Sequence, residues 1–217
     1  MLKIDNDRKV WVTSDTHYSH TNICRGITNW RLPNGEVPEK QTRPFETLDK
    51  MNASIVNNIN EVVGQDDVLI HFGDWSFGGF ENIEELRNRI TCKEIHLIYG
   101  NHDHHIVNNR ENCQSLFTST QWFLQLNYMG ETIECMHFPI LSWNGLAKGR
   151  IHLHGHSHLP NERKILFRRM DVGMDGHLEF RPYDLHHEIL NPMKKQPIGS
   201  ELGVDDHHTD EMKNVIG

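Results

Sequence analysis

EIHLIYGNHD, residues 94–103, runs a β-favouring segment straight into a cluster of polar, ligand-type side chains. Ile95, Leu97, Ile98 and Tyr99 read as a short buried strand that stops at Gly100. Asn101, His102 and Asp103 therefore fall in the loop beyond a strand rather than along a helix. That placement makes the chain a sheet protein with its chemistry at strand ends.

The same pattern recurs upstream. VWVTS, residues 10–14, is a strand ending at Asp15, and DVLIHF, residues 67–72, ends at Gly73-Asp74. Between them Leu48, Met51, Ile55, Ile59 and Val62 recur at helical spacing, which predicts a helix from Thr47 to Val63 with Gly64 as its C-terminal cap. A second helix is predicted over Asn82–Arg89, with Ile83, Leu86 and Ile90 on its stripe. Strand, helix, strand, helix, strand indicates an α/β sheet with parallel strands. Downstream, WFLQLNY, TIECMHF, RIHLHG, ILFRRMDV and HLEFRPY read as successive strands, so one mixed sheet or two packed sheets would fit. Residues 21–43 form an irregular excursion rich in Gly and Pro. One domain over residues 1–190 with a polar tail at 191–217 is expected.

The 217 residues carry a net charge of −8, which argues against coating duplex nucleic acid, a mode that needs many cationic phosphate contacts. The four cysteines form no C-x-x-C pair, and the expectation is free thiols in a reducing compartment. The N-terminal MLKIDNDRKVWV lacks a long apolar run, and no segment approaches the roughly 20 apolar residues of a membrane span. A cytoplasmic protein without membrane partners is expected; composition does not set its oligomeric state.

Histidine is unusually frequent, at 17. Parallel sheets collect ligands at the carboxyl ends of their strands. Three such ends supply Asp15 and His17, Asp74, and Asn101 with His102; two more supply His137 and the pair His156 and His158. Oxygen and imidazole donors without thiolate suit divalent manganese, iron, nickel or zinc. So many donors exceed one ion's need, whereas two ions about 3.5–4 Å apart sharing a carboxylate would use them.

In order, DTH at 15–17, GD at 73–74, GNHD at 100–103, His137 and GHSH at 155–158 resemble the signature of the calcineurin-like metallophosphoesterases. SDTHYSHTNI at 14–23 with RPF at 43–45 resembles a small bacterial and phage branch of that group. The resemblance covers residues 9 to about 185. It implies an α/β sandwich of two mixed sheets flanked by helices. It also implies two divalent ions, manganese foremost, held by Asp15, His17 and His158 at one position and by Asn101, His137 and His156 at the other, with Asp74 bridging. A water or hydroxide between the ions would attack phosphorus in line, and His102 would stabilise phosphoryl charge and protonate the leaving oxygen. The implied substrate is a phosphodiester of nucleotide or single-stranded nucleic-acid type, with phosphomonoesters and a silent metal-binding scaffold as alternatives. A helical His-Asp hydrolase is disfavoured, because His102-Asp103 follows a strand.

His20 and Arg43 are candidate substrate contacts, Arg43 because a guanidinium suits oxyanions. One departure stands out. Protein-phosphatase members carry an Asp three residues after the bridging one, which orients the acid histidine; here that position is Phe77. Asp103 or a backbone carbonyl would have to orient His102 instead. His71, His96 and His152 are expected to be structural, and Arg163, Lys164, Arg168 and Arg169 to form a solvated basic run.

Overall fold

The computed structural model describes residues 1–158 and 167–199. The strands are β1 (Leu2–Lys3), β2 (Val10–Thr13), β3 (Val68–His71), β4 (Glu94–Ile98), β5 (Ser119–Gln121), β6 (Phe123–Tyr128), β7 (Glu131–Met136), β8 (Ile151–His154), β9 (Arg169–Asp171) and β10 (Tyr183–Asp184). The helices are α1 (Leu48–Val62), α2 (Phe80–Arg89), α3 (His104–Asn108) and α4 (Asn191–Met193). Two five-stranded sheets form, ordered β10-β2-β3-β4-β5 and β1-β6-β7-β8-β9. In the first, β2 to β5 pair parallel and β10 joins antiparallel; in the second, only β6 and β7 pair antiparallel. Both sheets are mixed, and the expected sandwich is the observed fold.

Period-two alternation sorts the side chains into two cores. Val10, Val12, Val68 and Ile70 turn inward against Leu126, Ile133, Ile151 and Leu153 of the second sheet. Trp11, Leu69, Ile95 and Leu97 turn outward against Met51, Ile55 and Ile59 of α1 and Ile83 and Leu86 of α2. Burial on both faces explains why these strands read as nearly continuous apolar runs.

Local chemistry sets the α1 boundaries. Thr47 caps its N-terminus, its hydroxyl accepting the Lys50 N–H at 3.2 Å. Gly64 is not the left-handed cap expected of it. Val63 closes the helix at φ −88°, and the Gly64 N–H donates to Asp67 Oδ2 at 2.8 Å. The expected strand HLEFRPY is also corrected. Only Tyr183–Asp184 pairs, opposite Val12 and Trp11, while Phe180 closes a turn by donating its N–H to His177 O. Met193 is fully buried in the inter-sheet core, so that core continues past the expected boundary at residue 190. Of the basic run, Arg163 and Lys164 lie outside the described residues, and Arg168 donates to the Gly149 carbonyl at 2.8 Å. No helix among the described residues is long and apolar enough to cross a membrane.

Candidate metal centre

The ends of β2, β3, β4, β7 and β8 meet at one edge of the sandwich. Asp15 N donates to Gly73 O at 2.9 Å and His17 N to Asp74 O at 3.0 Å, which locks the first two ligand turns together. Two glycines permit the close approach. Gly73 has φ +96°, and a Cβ there would lie 2.3 Å from Gly100 N. A Cβ on Gly155 would lie 1.9 Å from Ser14 Oγ and 2.6 Å from Asp15 Oδ2.

Asp15 (φ 56°), His17 (46°), Asp74 (55°), His156 (68°) and His158 (45°) all adopt the left-handed region without being glycine. Each such residue costs on the order of 1 kcal/mol, and such strain collects at functional sites. Five of the nine non-glycine residues of this kind among those described are candidate ligands.

Asp74 Oδ2 stands 3.4 Å from His17 Nε2 and 3.6 Å from His137 Nε2. Its other oxygen accepts the His102 backbone N–H at 2.8 Å. His158 Nε2 lies 3.1 Å from His17 Nε2 and 3.5 Å from Asp15 Oδ1. His137 donates through Nδ1 to the Phe72 carbonyl at 2.6 Å, which turns Nε2 toward Asn101 Oδ1 at 3.0 Å. The His156 ring packs 5.2 Å from that of His137, and its backbone N–H donates to Asp15 Oδ2 at 2.9 Å. In each of two sets, Asp15, His17 and His158 or Asp15, Asp74 and His137, the ligand atoms lie within 4.8 Å of one another.

The electrostatics fit cations. Asp15 Oδ1 is buried and makes no hydrogen bond among the described residues. Burial pushes the Asp15 carboxyl up to about 7, with His158 opposing and Asp171 and Asp74 adding to the rise. Burial pulls the His17 imidazole down to about 3 and also lowers His137, so both rings are neutral and able to ligate.

His102 lies at the open side, its ring 5.3 Å from His17 and 5.5 Å from Phe77. Phe77 stacks face to face on His20 at 3.9 Å and 4°. His20 stands 5.2 Å from His17, its Nδ1 buried and without a partner among the described residues. Asp103 does not orient the His102 ring. Its carboxylate accepts the backbone N–H groups of Asp74, Trp75 and Gly100 at 2.8, 3.0 and 2.8 Å.

Arg43 lines a cleft beside His158. Its guanidinium is buried and spends its donors on the carbonyls of Asp15 and Thr16 and on both oxygens of Asp175. Asp175 in turn accepts from His158 Nδ1 at 2.8 Å. Asp175 escaped the sequence reading, although the strand-end rule reaches it: it follows β9 by four residues in MDVGMD.

In RIHLHGHSH, Gly155 ends β8 and separates two pairs of histidines. His152 and His154 share the strand. His152 contacts Glu134 O through Nδ1 and accepts the Ile140 N–H at Nε2, as a structural residue should. His154 donates to the Gly155 carbonyl at 2.8 Å and steadies the turn that carries His156. His71 and His96 make comparable buried contacts, with Thr16 and with Ser119.

Carboxylates and imidazoles gather at strand ends of an α/β fold around a buried carboxylate oxygen with no hydrogen bond among the described residues, an arrangement that suits cations. The family model for calcineurin-like phosphoesterases matches residues 8–185; the chain belongs to that family and is a metal-dependent phosphoesterase. An uncharacterized protein of Methanocaldococcus jannaschii, MJ1445, is 28% identical over 153 residues, 70% of each chain. The crystal structure of AQ665, a protein of unknown function from Aquifex aeolicus, superposes with TM-score 0.56 at 18% identity, covering 81% of this chain and 95% of that one. It shares the fold. A structure described as a novel archaeal phosphodiesterase superposes with TM-score 0.46 at 17% identity, over 78% of this chain and 87% of that one.

Proposed function

We propose that the chain hydrolyses phosphodiesters with two divalent ions, manganese foremost, held by Asp15, His17 and His158 and by Asn101, His137 and His156, with Asp74 shared. The observation that carries this is Asp74 Oδ2, placed between His17 Nε2 at 3.4 Å and His137 Nε2 at 3.6 Å, as a shared ligand requires. When bound, such a pair supplies an activated water and neutralises phosphoryl oxygens for in-line displacement.

The chain's own groups do the rest. His102 hydrogen-bonds the phosphoryl group and delivers a proton to the leaving oxygen. His20, held flat by Phe77, contacts the substrate beside it. A cleft of about 450 Å³ opens next to His158, lined in part by Arg25, Lys40, Phe45 and Phe180. Aromatic faces with nearby cations suit a nucleotide or a single strand, and the cleft leaves room for a diester's leaving group. Four buried free cysteines agree with a reducing, cytoplasmic setting. The catalytic domain is taken as residues 1–190 together with the short stretch after it that carries the buried Met193, with the remaining residues as an appended polar segment.

The test is purified protein with Mn²⁺ on a chromogenic diester and a chromogenic monoester in parallel. Faster diester turnover is expected. Monoester turnover without diester turnover would establish a phosphomonoesterase instead, and ion binding with neither activity a silent scaffold.

A further inference from the structure

Arg43 and Asp175 belong to neither candidate ligand set, yet both are tied to one of them. The two form a bidentate ion pair, Nε to Oδ1 at 2.8 Å and Nη2 to Oδ2 at 2.9 Å. Arg43 is 3% exposed and the Asp175 side chain 14%. Planar pairing of this kind is the strong, directional form of an ion pair. Each partner then reaches a ligand segment. Arg43 donates to the carbonyls of Asp15 at 2.5 Å and Thr16 at 2.7 Å, inside the turn where Asp15 and His17 hold left-handed backbone. Asp175 Oδ2 accepts from His158 Nδ1 at 2.8 Å. A carboxylate can only accept here, so Nδ1 carries the proton and Nε2 is the ring atom left for ligation. That Nε2 is the atom facing His17 and Asp15 Oδ1.

We propose that Arg43 and Asp175 are a positioning pair for the Asp15/His17/His158 ion position. Asp175 fixes the tautomer and tilt of His158, while Arg43 holds Asp175 in place and braces the strained turn of Asp15 and His17. The inference rests on the metal-centre reading above. Among the described residues the other position has no such ion pair: His137 is braced by the neutral Phe72 carbonyl, and Asn101 and His156 are exposed. Outer partners of ligating histidines typically contribute 10–100-fold to metal affinity.

The test is Mn²⁺ binding to the full chain by calorimetry, with elemental analysis, on the wild type, Asp175→Asn, His158→Ala and the double variant. Asp175→Asn is isosteric, and Asp175→Ala serves as a second variant; circular dichroism without metal checks the fold of each. Asp175→Asn should weaken one Mn²⁺ by about 10–100-fold, and should have no further effect once His158 is Ala. In the metal-free wild type, ¹⁵N imidazole shifts should show His158 protonated at Nδ1, a signature lost in Asp175→Ala. Arg43→Lys keeps the charge but cannot span two carbonyls and a carboxylate, and should also weaken binding. Wild-type affinity in folded Asp175→Asn and Asp175→Ala overturns the pair while leaving the metal centre intact. Equal losses from Asp175→Asn with and without His158 overturn it as well. Absence of Mn²⁺ binding to the wild type overturns the metal centre and the pair together.

Discussion

The carboxylate of Asp103 accepts the backbone N–H of Asp74 at 2.8 Å, binding the turn after β4 to the turn after β3. Trp75 and Gly100 donate to the same carboxylate, which is almost fully buried. Asp103→Asn would set an amide NH₂ against one of these donors. Leaving a buried donor unmet costs about 1–3 kcal/mol. A fall in chemical-denaturation stability of that order is expected, together with weaker Mn²⁺ binding. Wild-type stability would show that the three contacts do not brace the turns.

Asp74 itself is the decisive ligand test. Asp74→Asn keeps the shape and can still accept the His102 N–H through its carbonyl oxygen. It lacks the charge with which the proposed shared carboxylate would serve two ions. Metal-dependent hydrolysis should vanish while the circular dichroism spectrum stays that of the wild type. Full activity in the purified variant would remove Asp74 from the shared position.

Gly155→Ala probes the close approach of β8 to the first ligand turn. The added Cβ would meet Ser14 Oγ at 1.9 Å and Asp15 Oδ2 at 2.6 Å, so backbone or ligand must move. Overpacking of this kind costs about 1–3 kcal/mol. A lower melting temperature with reduced Mn²⁺ content is expected, and an unchanged melting temperature would contradict the contact.

The Phe77–His20 stack should matter to turnover. Phe77→Ala removes the surface that holds His20 flat and lies 5.5 Å from the His102 ring. Misplacing catalytic groups by about an ångström can cost roughly 100-fold. A fall in kcat of tenfold or more with an unchanged fold is expected; wild-type kcat and KM would make the stack incidental.

Burial gives the metal-free protein a pH dependence. The His71 and His152 imidazoles are pulled down to about 3 and about 4, and His152 Nε2 must stay unprotonated to accept the Ile140 N–H. The unfolded chain protonates these rings near pH 6.5, well before the folded one does. Unfolding therefore takes up protons, and stability falls as pH drops from about 6.5 toward 4. Asp15, pushed up to about 7 by burial, works the other way, losing its contribution as pH rises from about 4 to 7. Comparing wild type with His152→Gln cancels the Asp15 contribution. The variant's unfolding free energy should fall less steeply over that range, by up to one proton's slope; identical slopes would refute the assignment.

Much of the centre was legible because short strands announce themselves. VWVTS, DVLIHF and EIHLIYG are buried on both faces, so their apolar runs end abruptly where the candidate ligands begin. Misreadings came where a side chain's destination lay far along the chain. Nothing local to Arg43 announces its ion-pair partner, because Asp175 is 132 positions away. Gly64 looked like a cap until Asp67 took its N–H. HLEF carries strand-like residues, but the Phe180 ring packs over the Arg43 guanidinium at 4.9 Å rather than into a ladder.

The sequence by itself determined which residues could ligate and in what order the strands deliver them, since both follow from local periodicity and residue chemistry. Tertiary structure alone decided the second layer. Asp175 was chosen to hold His158, Arg43 to hold Asp175, Asp103 to tie two turns, and Phe77 to flatten His20. Those pairings depend on the close packing of distant segments, which local propensity does not encode.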